Sequence, residues 1–164
     1  MQLTQHFSLA EFTRSATATQ RGIDNTLDST SSPQAEEVIA NLRNLCEKVL
    51  EPLRVWYGKP ITIGSGYRCP ALNRAVGGVP HSQHQYGEAA DLQVTCNVSK
   101  SNPSAYNAEL RKLFNYIRSS LPHDQLILER NSPSSKTFWI HVSCKRDVSK
   151  NRGQVIELLN KYAR

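Results

Sequence analysis

The apolar positions of this chain change period several times, and each change predicts an element. Val38, Leu42, Leu45, Val49, Leu53 and Trp56 recur at helical spacing. Ser32 offers that helix a capping hydroxyl, Pro33 suits its first turn, and Glu36 and Glu37 sit where the helix dipole favours carboxylates. Pro52 has no amide N–H and is expected to kink the helix or end its regular part, with Gly58-Lys59-Pro60 closing the segment. Ile61-Thr62-Ile63 reads as a short strand ended by Gly64 and Gly66, residues 70–76 as one or two helical turns, and Gly77-Gly78-Val79-Pro80 as loop. Between Ala89 and Val94 the pattern alternates, with Ala89, Asp91 and Gln93 on one face and Leu92 and Val94 on the other. Asn102-Pro103 opens a second long helix carrying Tyr106, Leu110, Leu113 and Ile117 on one stripe. Gln125 to Glu129 and Phe138 to Ser143 read as strands joined by the polar loop 130–136, and Gly153 to Ala163 as a final amphipathic helix.

Long helices beside a few short strands predict an α+β domain with a small antiparallel sheet packed against helices. Residues 1–32 are polar and Ser/Thr-rich around one apolar cluster, Phe7, Leu9 and Phe12. They read as an N-terminal arm packed on the domain formed by residues 33–164.

Composition narrows the class. The 164 residues are 38% hydrophobic and 21% charged, with a mean hydropathy of -0.50, which is a globular composition. No apolar run approaches the roughly 18 residues that a membrane span needs, so no membrane insertion is expected. Met1 to Ala10 shows no basic stretch followed by an apolar one, so the expected product is cytoplasmic as synthesised. Cys46, Cys69, Cys96 and Cys144 form no Cys-x-x-Cys pair, and they read as reduced thiols rather than as a zinc knuckle.

The net charge of +6 is unevenly placed: residues 1–100 balance nine Lys/Arg against nine Asp/Glu, and residues 101–164 hold eleven against five. A basic face fits a polyanionic partner such as nucleic acid or an anionic wall polymer, or simply a solvated surface. Without a Lys/Arg run or interleaved aromatics, no nucleic-acid partner is expected.

Candidate chemistry lies in two segments. Ser82-Gln83-His84-Gln85-Tyr86-Gly87-Glu88-Ala89-Ala90-Asp91 puts a loop histidine near a strand carboxylate, with little side-chain bulk between them. A carboxylate on such a strand must be paired or metal-bound, so Asp91 either caps a turn, pairs with Arg68 or Arg74, or ligates a metal. His141 lies among Phe138, Trp139, Ile140 and Val142, as a hydrogen-bonded core residue or as a ligand. Two histidines and one aspartate make a plausible catalytic zinc set, with a position left for water.

Ser65-Gly66-Tyr67-Arg68, Ser82-x-His84-x-x-Gly87-x-Ala89-x-Asp91 and Trp139-x-His141 together resemble the zinc D-Ala-D-Ala carboxypeptidase family. That family includes vancomycin-resistance D,D-dipeptidases and phage L-alanyl-D-glutamate endopeptidases, and it shares its fold with hedgehog signalling domains. The opening Phe7-Ser8-Leu9-Ala10-Glu11-Phe12 and the step Pro52-Leu53-Arg54 are similar to one branch common in bacteria and phages. The resemblance implies His84, Asp91 and His141 as ligands of one Zn²⁺, Arg68 as a substrate-binding and charge-stabilising residue, and Ser82 as a substrate-side serine. Several branches carry the general base three residues before the last ligand; that position here is Phe138, which cannot move a proton. Glu129, at the end of a strand expected to pair with that of His141, is the candidate base, with Glu88 second and His81 a possible substrate contact; His6 and His123 have no supporting context.

The implied protein is a zinc-dependent peptidase hydrolysing peptidoglycan stem peptides by metal-activated water, as a D-Ala-D-Ala carboxypeptidase or an endolysin-like endopeptidase. It is expected to be a monomer acting at the cell wall, where a phage enzyme would arrive at lysis. The alternative is a catalytically inactive, zinc-stabilised module that binds the wall or a protein.

Overall fold

The computed structural model describes residues 1–28, 32–94 and 102–160. Its centre is a five-stranded sheet made of β1 (Ile61–Ser65), β2 (Ala89–Val94), β3 (Gln125–Arg130), β4 (Trp139–Ser143) and β5 (Gln154–Asn160), in the order β1-β2-β4-β3-β5. The first four strands pair antiparallel, whereas β5 runs parallel to β3. The sheet is therefore mixed rather than wholly antiparallel, within the expected α+β class.

The α-helical elements described are α1 (Leu9–Thr13), α2 (Ala16–Arg21), α3 (Pro33–Leu45), α4 (Glu51–Tyr57), α5 (Pro70–Ala75) and α6 (Pro103–Ser120), of which α1, α3, α4 and α6 contribute to the core against the sheet. The Ser32 hydroxyl accepts from the Ala35 amide and Pro33 takes the first turn, so α3 starts as its sequence dictates. Pro52 does not end the helical run. A π turn, Cys46–Leu50, lies just ahead of it, with the Glu51 amide donating to the Cys46 carbonyl five residues back. The wider turn makes room for a ring that would otherwise meet the preceding turn, and the helix continues to Tyr57.

Strand alternation divides the sheet into two working faces. Ile61, Ile63, Ala90, Leu92, Val94, Leu126, Leu128, Ile140 and Val142 all enter the hydrophobic core, beside Leu42, Leu45, Leu50, Leu110 and Phe114 from the helices. The residues between them point the other way. Directly paired residues share a face, so Ser65 opposite Asp91, Asp91 opposite His141, and His141 opposite Ile127 place these side chains in one row, with Glu129 two residues further along β3. A bulge between Ile63 and Ser65 brings Ser65 onto that row.

The N-terminal segment is stitched into the same core. Phe7 and Phe12 are buried against it, and Ser8 and Glu11 form a capping box that starts α1. A Cβ at Gly66 would come within 2.6 Å of the Phe12 backbone, so glycine permits the approach of α1 to the end of β1.

The expected final helix is instead β5. Val155 packs on the core from the sheet edge, and Glu157 forms an ion pair with Arg111 of α6 at 2.6 Å. Paired apolar residues at 155–156 and 158–159 satisfy a helical stripe as readily as a short strand, and the partner that decides is β3, some 30 positions earlier in the chain. The remainder of that expectation, 161–163, lies outside the described residues, as does Cys96; Cys46, Cys69 and Cys144 are free thiols.

Candidate metal centre

Three elements converge on one point. Asp91 and His141 face each other across the β2–β4 pair. His84 arrives from a single 3-10 turn, Gln83–Tyr86, between α5 and β2. Asn41 of α3 holds that turn, its Nδ2 donating to the Tyr86 carbonyl at 2.9 Å, and Gly87 closes it at φ +71°. A Cβ at Gly87 would lie 2.5 Å from the Val38 carbonyl oxygen, so glycine is required both by its backbone angle and by this approach. Ser82 is buried at the head of the turn, where its carbonyl accepts from the Gln85 amide; it is not among the residues lining the cavity described below.

The resulting donor geometry is tight. His84 Nε2 lies 3.2 Å from His141 Nδ1 and 3.3 Å from Asp91 Oδ1, and His141 Nδ1 lies 3.1 Å from the same carboxylate oxygen. The Gly66 carbonyl, 2.7 Å from His84 Nδ1, can only accept, which leaves the lone pair of His84 on Nε2, facing the other two atoms. His141 Nε2 is buried without a hydrogen-bond partner among the described residues, so its Nδ1 is the engaged nitrogen. Four ligands about 2.0–2.1 Å from a tetrahedral zinc stand roughly 3.3–3.4 Å from one another, close to the separations seen here. The residues present thus fit a zinc ion, and a second partner supports two of them, the Gly66 carbonyl for His84 and Arg68 for Asp91.

Arg68 is that support for Asp91. Its Nη2 donates to Asp91 Oδ2 at 2.8 Å and its Nε to Ser65 Oγ at 2.9 Å, while its backbone N–H donates to the His84 carbonyl. The pairing with Arg68 thus uses Oδ2, and Oδ1 faces the two histidines. Burial pushes the His84 imidazole down to about 4, further lowered by Arg68 and His141 against the pull of Asp91; it is neutral and ready to ligate at pH 7. Burial alone would raise the Asp91 carboxyl, but His84, His141 and Arg68 outweigh it and hold it well below the ordinary carboxylate range.

The triad opens on a cavity of about 660 Å³, a volume suited to a small ligand or a short peptide. Arg68 and Glu129 line it, so β3 does bring the candidate base into the same space as the triad. Glu129 is buried at 4% exposure. Glu88, His6, His81 and His123 do not line it: Glu88 sits beside Gln83, His6 beside Glu51, His81 beside Tyr86, and His123 beside the Leu121 carbonyl. Nothing in the residue pattern points to the start of α2, yet Arg14, Ser15, Thr17 and Thr19 line the cavity, as do Val76 to Val79. Asn25 ties the Arg14 wall to the Arg68 loop. Its Nδ2 donates to the Thr13 and Tyr67 carbonyls and its Oδ1 accepts from the Cys69 amide.

Comparison with known proteins agrees with this geometry. Residues 5–143 match the family model described as Peptidase M15. A 34-residue segment is 53% identical to the zinc D-Ala-D-Ala carboxypeptidase of Streptomyces albus G; it makes up 21% of this chain and 13% of that relative's length.

Proposed function

The chain belongs to the Peptidase M15 family, a zinc peptidase by that kinship, and on this premise we propose that it hydrolyses peptide bonds in peptidoglycan stem peptides. The observation that carries the reading is the triangle of His84 Nε2, Asp91 Oδ1 and His141 Nδ1, 3.1–3.3 Å on a side, opening on a cavity that Arg68 and Glu129 also line.

In this reading His84, Asp91 and His141 hold one Zn²⁺. When bound, the ion supplies Lewis acidity: it polarises the scissile carbonyl and lowers the pKa of water toward 7. The chain's own groups do the rest. Arg68 spends Nη2 on Asp91 and Nε on Ser65, which fixes the guanidinium plane and leaves Nη1 for a carbonyl oxygen gaining charge. Glu129 takes the proton of the attacking water on its carboxylate and returns it to the departing amine nitrogen, the task that Phe138 cannot perform. Ser82 acts by holding the turn that carries His84, and reaches substrate only through that turn.

The test is digestion of purified peptidoglycan by the zinc-loaded protein, with mass spectrometry of the released muropeptides, beside Glu129→Gln. New peptide termini from the wild type alone are expected, and their identity separates carboxypeptidase from endopeptidase. A wild type that holds zinc and releases nothing overturns the proposal in favour of a binding module.

A further inference from the structure

We propose that Asn25 is a positioning residue of the metal centre: its side-chain amide sets the backbone on both sides of Arg68 and, through the guanidinium, the orientation of the Asp91 carboxylate. The inference rests on the zinc-peptidase reading and extends it to the residue that aligns the site.

Residues 66–69 form the irregular link between β1 and α5, and they carry the supports of two of the three donors. The Gly66 carbonyl lies 2.7 Å from His84 Nδ1, and Arg68 Nη2 donates to Asp91 Oδ2 at 2.8 Å. A link outside any sheet ladder must find other partners for its backbone N–H and C=O groups. Asn25 supplies two of them. Its Nδ2 donates to the Tyr67 carbonyl at 3.0 Å, and its Oδ1 accepts from the Cys69 amide at 2.7 Å. These are the two bonds that a residue of a parallel strand makes around its partner, so one side chain stands in for a ladder with residue 68 at its centre. The second Nδ2 proton goes to the Thr13 carbonyl at 2.9 Å.

The clamp is itself held. Asn25 is 5% exposed. Asp24 accepts from the Thr26 amide at 2.9 Å and from the Thr26 hydroxyl at 2.7 Å, closing a turn whose middle residue is Asn25. The three bonds also fix which way the amide faces, because reversing it would set Oδ1 against two carbonyl oxygens and the NH₂ against an N–H. Two donors and an acceptor on one short planar group are an asparagine's inventory; aspartate has no donor and serine has one. A buried amide satisfied at three points is rigid, and what it holds is held with it. Asn25 does not line the cavity of the triad, so it acts one step away, through the segment that carries Arg68.

The test measures binding of Zn²⁺ alone to the full chain, by chelator competition at pH 7, at a temperature where circular dichroism shows every variant folded. Asn25→Ala removes all three bonds. Asn25→Asp, of the same shape, keeps an acceptor for Cys69 and loses both donors, and it serves as well where the alanine variant folds poorly. Each is expected to bind zinc about tenfold more weakly than wild type. Arg68→Ala should weaken zinc by itself, and adding Asn25→Ala to it should weaken it by less than about threefold more, since a residue that acts through another loses its effect once that other is gone. A merely structural asparagine lowers the melting temperature and leaves the zinc affinity of the folded protein unchanged. Affinity within about twofold of wild type in both Asn25 variants, or an Asn25→Ala effect undiminished in the Arg68→Ala background, overturns the proposal. Muropeptide release, read separately, separates the two claims: cleavage with zinc affinity independent of Asn25 removes only the role of Asn25, and dependence on Asn25 without cleavage removes only the peptidase reading.

Discussion

Asp124 is fully buried and does not line the cavity. It accepts from Gln83 Nε2 at 2.9 Å, from the Arg152 amide at 2.9 Å, and from the Arg152 guanidinium at 2.5–3.1 Å. Gln83 is the residue before His84, so this carboxylate joins the turn bearing one metal donor to the chain that leads into β5. Replacing Asp124 by Asn keeps the shape, removes the charge and turns an NH₂ toward one of the donors. The ion pair contributes at most about 1 kcal/mol, because the Arg152 side chain is 55% exposed and is solvated when released. Losing one buried hydrogen bond to a charged acceptor costs a further 1.5–3 kcal/mol or about that. The sum, about 2–4 kcal/mol, corresponds to a fall in Tm of roughly 5–12 °C for a domain of this size.

The sign with pH follows from the carboxyl itself. Burial would raise it, but the hydrogen bonds from Arg152 and Gln83 hold it below its ordinary value of 3.8. A depressed carboxyl stabilises the fold above the unfolded value and loses that contribution as pH falls through the folded one. The gap between wild type and Asp124→Asn should therefore be full at pH 7 and should narrow as pH falls below 3.8 toward the lower folded value. Thermal melts by circular dichroism over that pH series read the gap, and chelator competition at pH 7 should show zinc bound about tenfold more weakly by the variant. A variant that melts within about 1 °C of wild type at pH 7, or a gap that widens as pH falls below 3.8, refutes the reasoning.

Asp91→Ala and His141→Ala should each lose stoichiometric zinc, measured by atomic emission after dialysis; if both retain it, the ligand set is wrong. Glu129→Gln should keep fold and zinc while kcat falls by about 10²- to 10⁴-fold, the usual contribution of a general base; an unimpaired variant moves that role elsewhere. Gly87→Ala forces a side chain onto a left-handed position and against the Val38 carbonyl, and should destabilise by about 1–3 kcal/mol in chemical denaturation. A neutral result there would mean that the turn carrying His84 shifts freely.

What the sequence discloses follows the range of the interactions involved. Ser32 and Pro33 fix the start of α3 because a cap is local, and the alternation at 89–94 places Asp91 opposite to Leu92 because strand period is local. The strands bearing Asp91, His141 and Glu129 were legible for the same reason. Pro52 marks a break in the regular α-helix, which the structure makes as the π turn Cys46–Leu50, while the resumption of helix to Tyr57 is not evident from the proline itself. Residues 154–160 mislead because the pattern suits two periods and only β3 chooses between them. The Arg14 wall is invisible in the sequence because it exists through Asn25, whose partners lie 12 and 42 residues away.

The two-faced sheet has a consequence for how the site can change. In β2 and β4, neighbours in sequence belong to different jobs: 90, 92, 140 and 142 fill the interior, and 91 and 141 reach the donors' meeting point. Sliding either strand by a single residue would drive a carboxylate or an imidazole into oil and lift leucine or isoleucine into their place. The greasy side thus acts as a proofreader for the chemical side, and a misaligned ligand pair is rejected by collapse of the fold before any ion is ever offered.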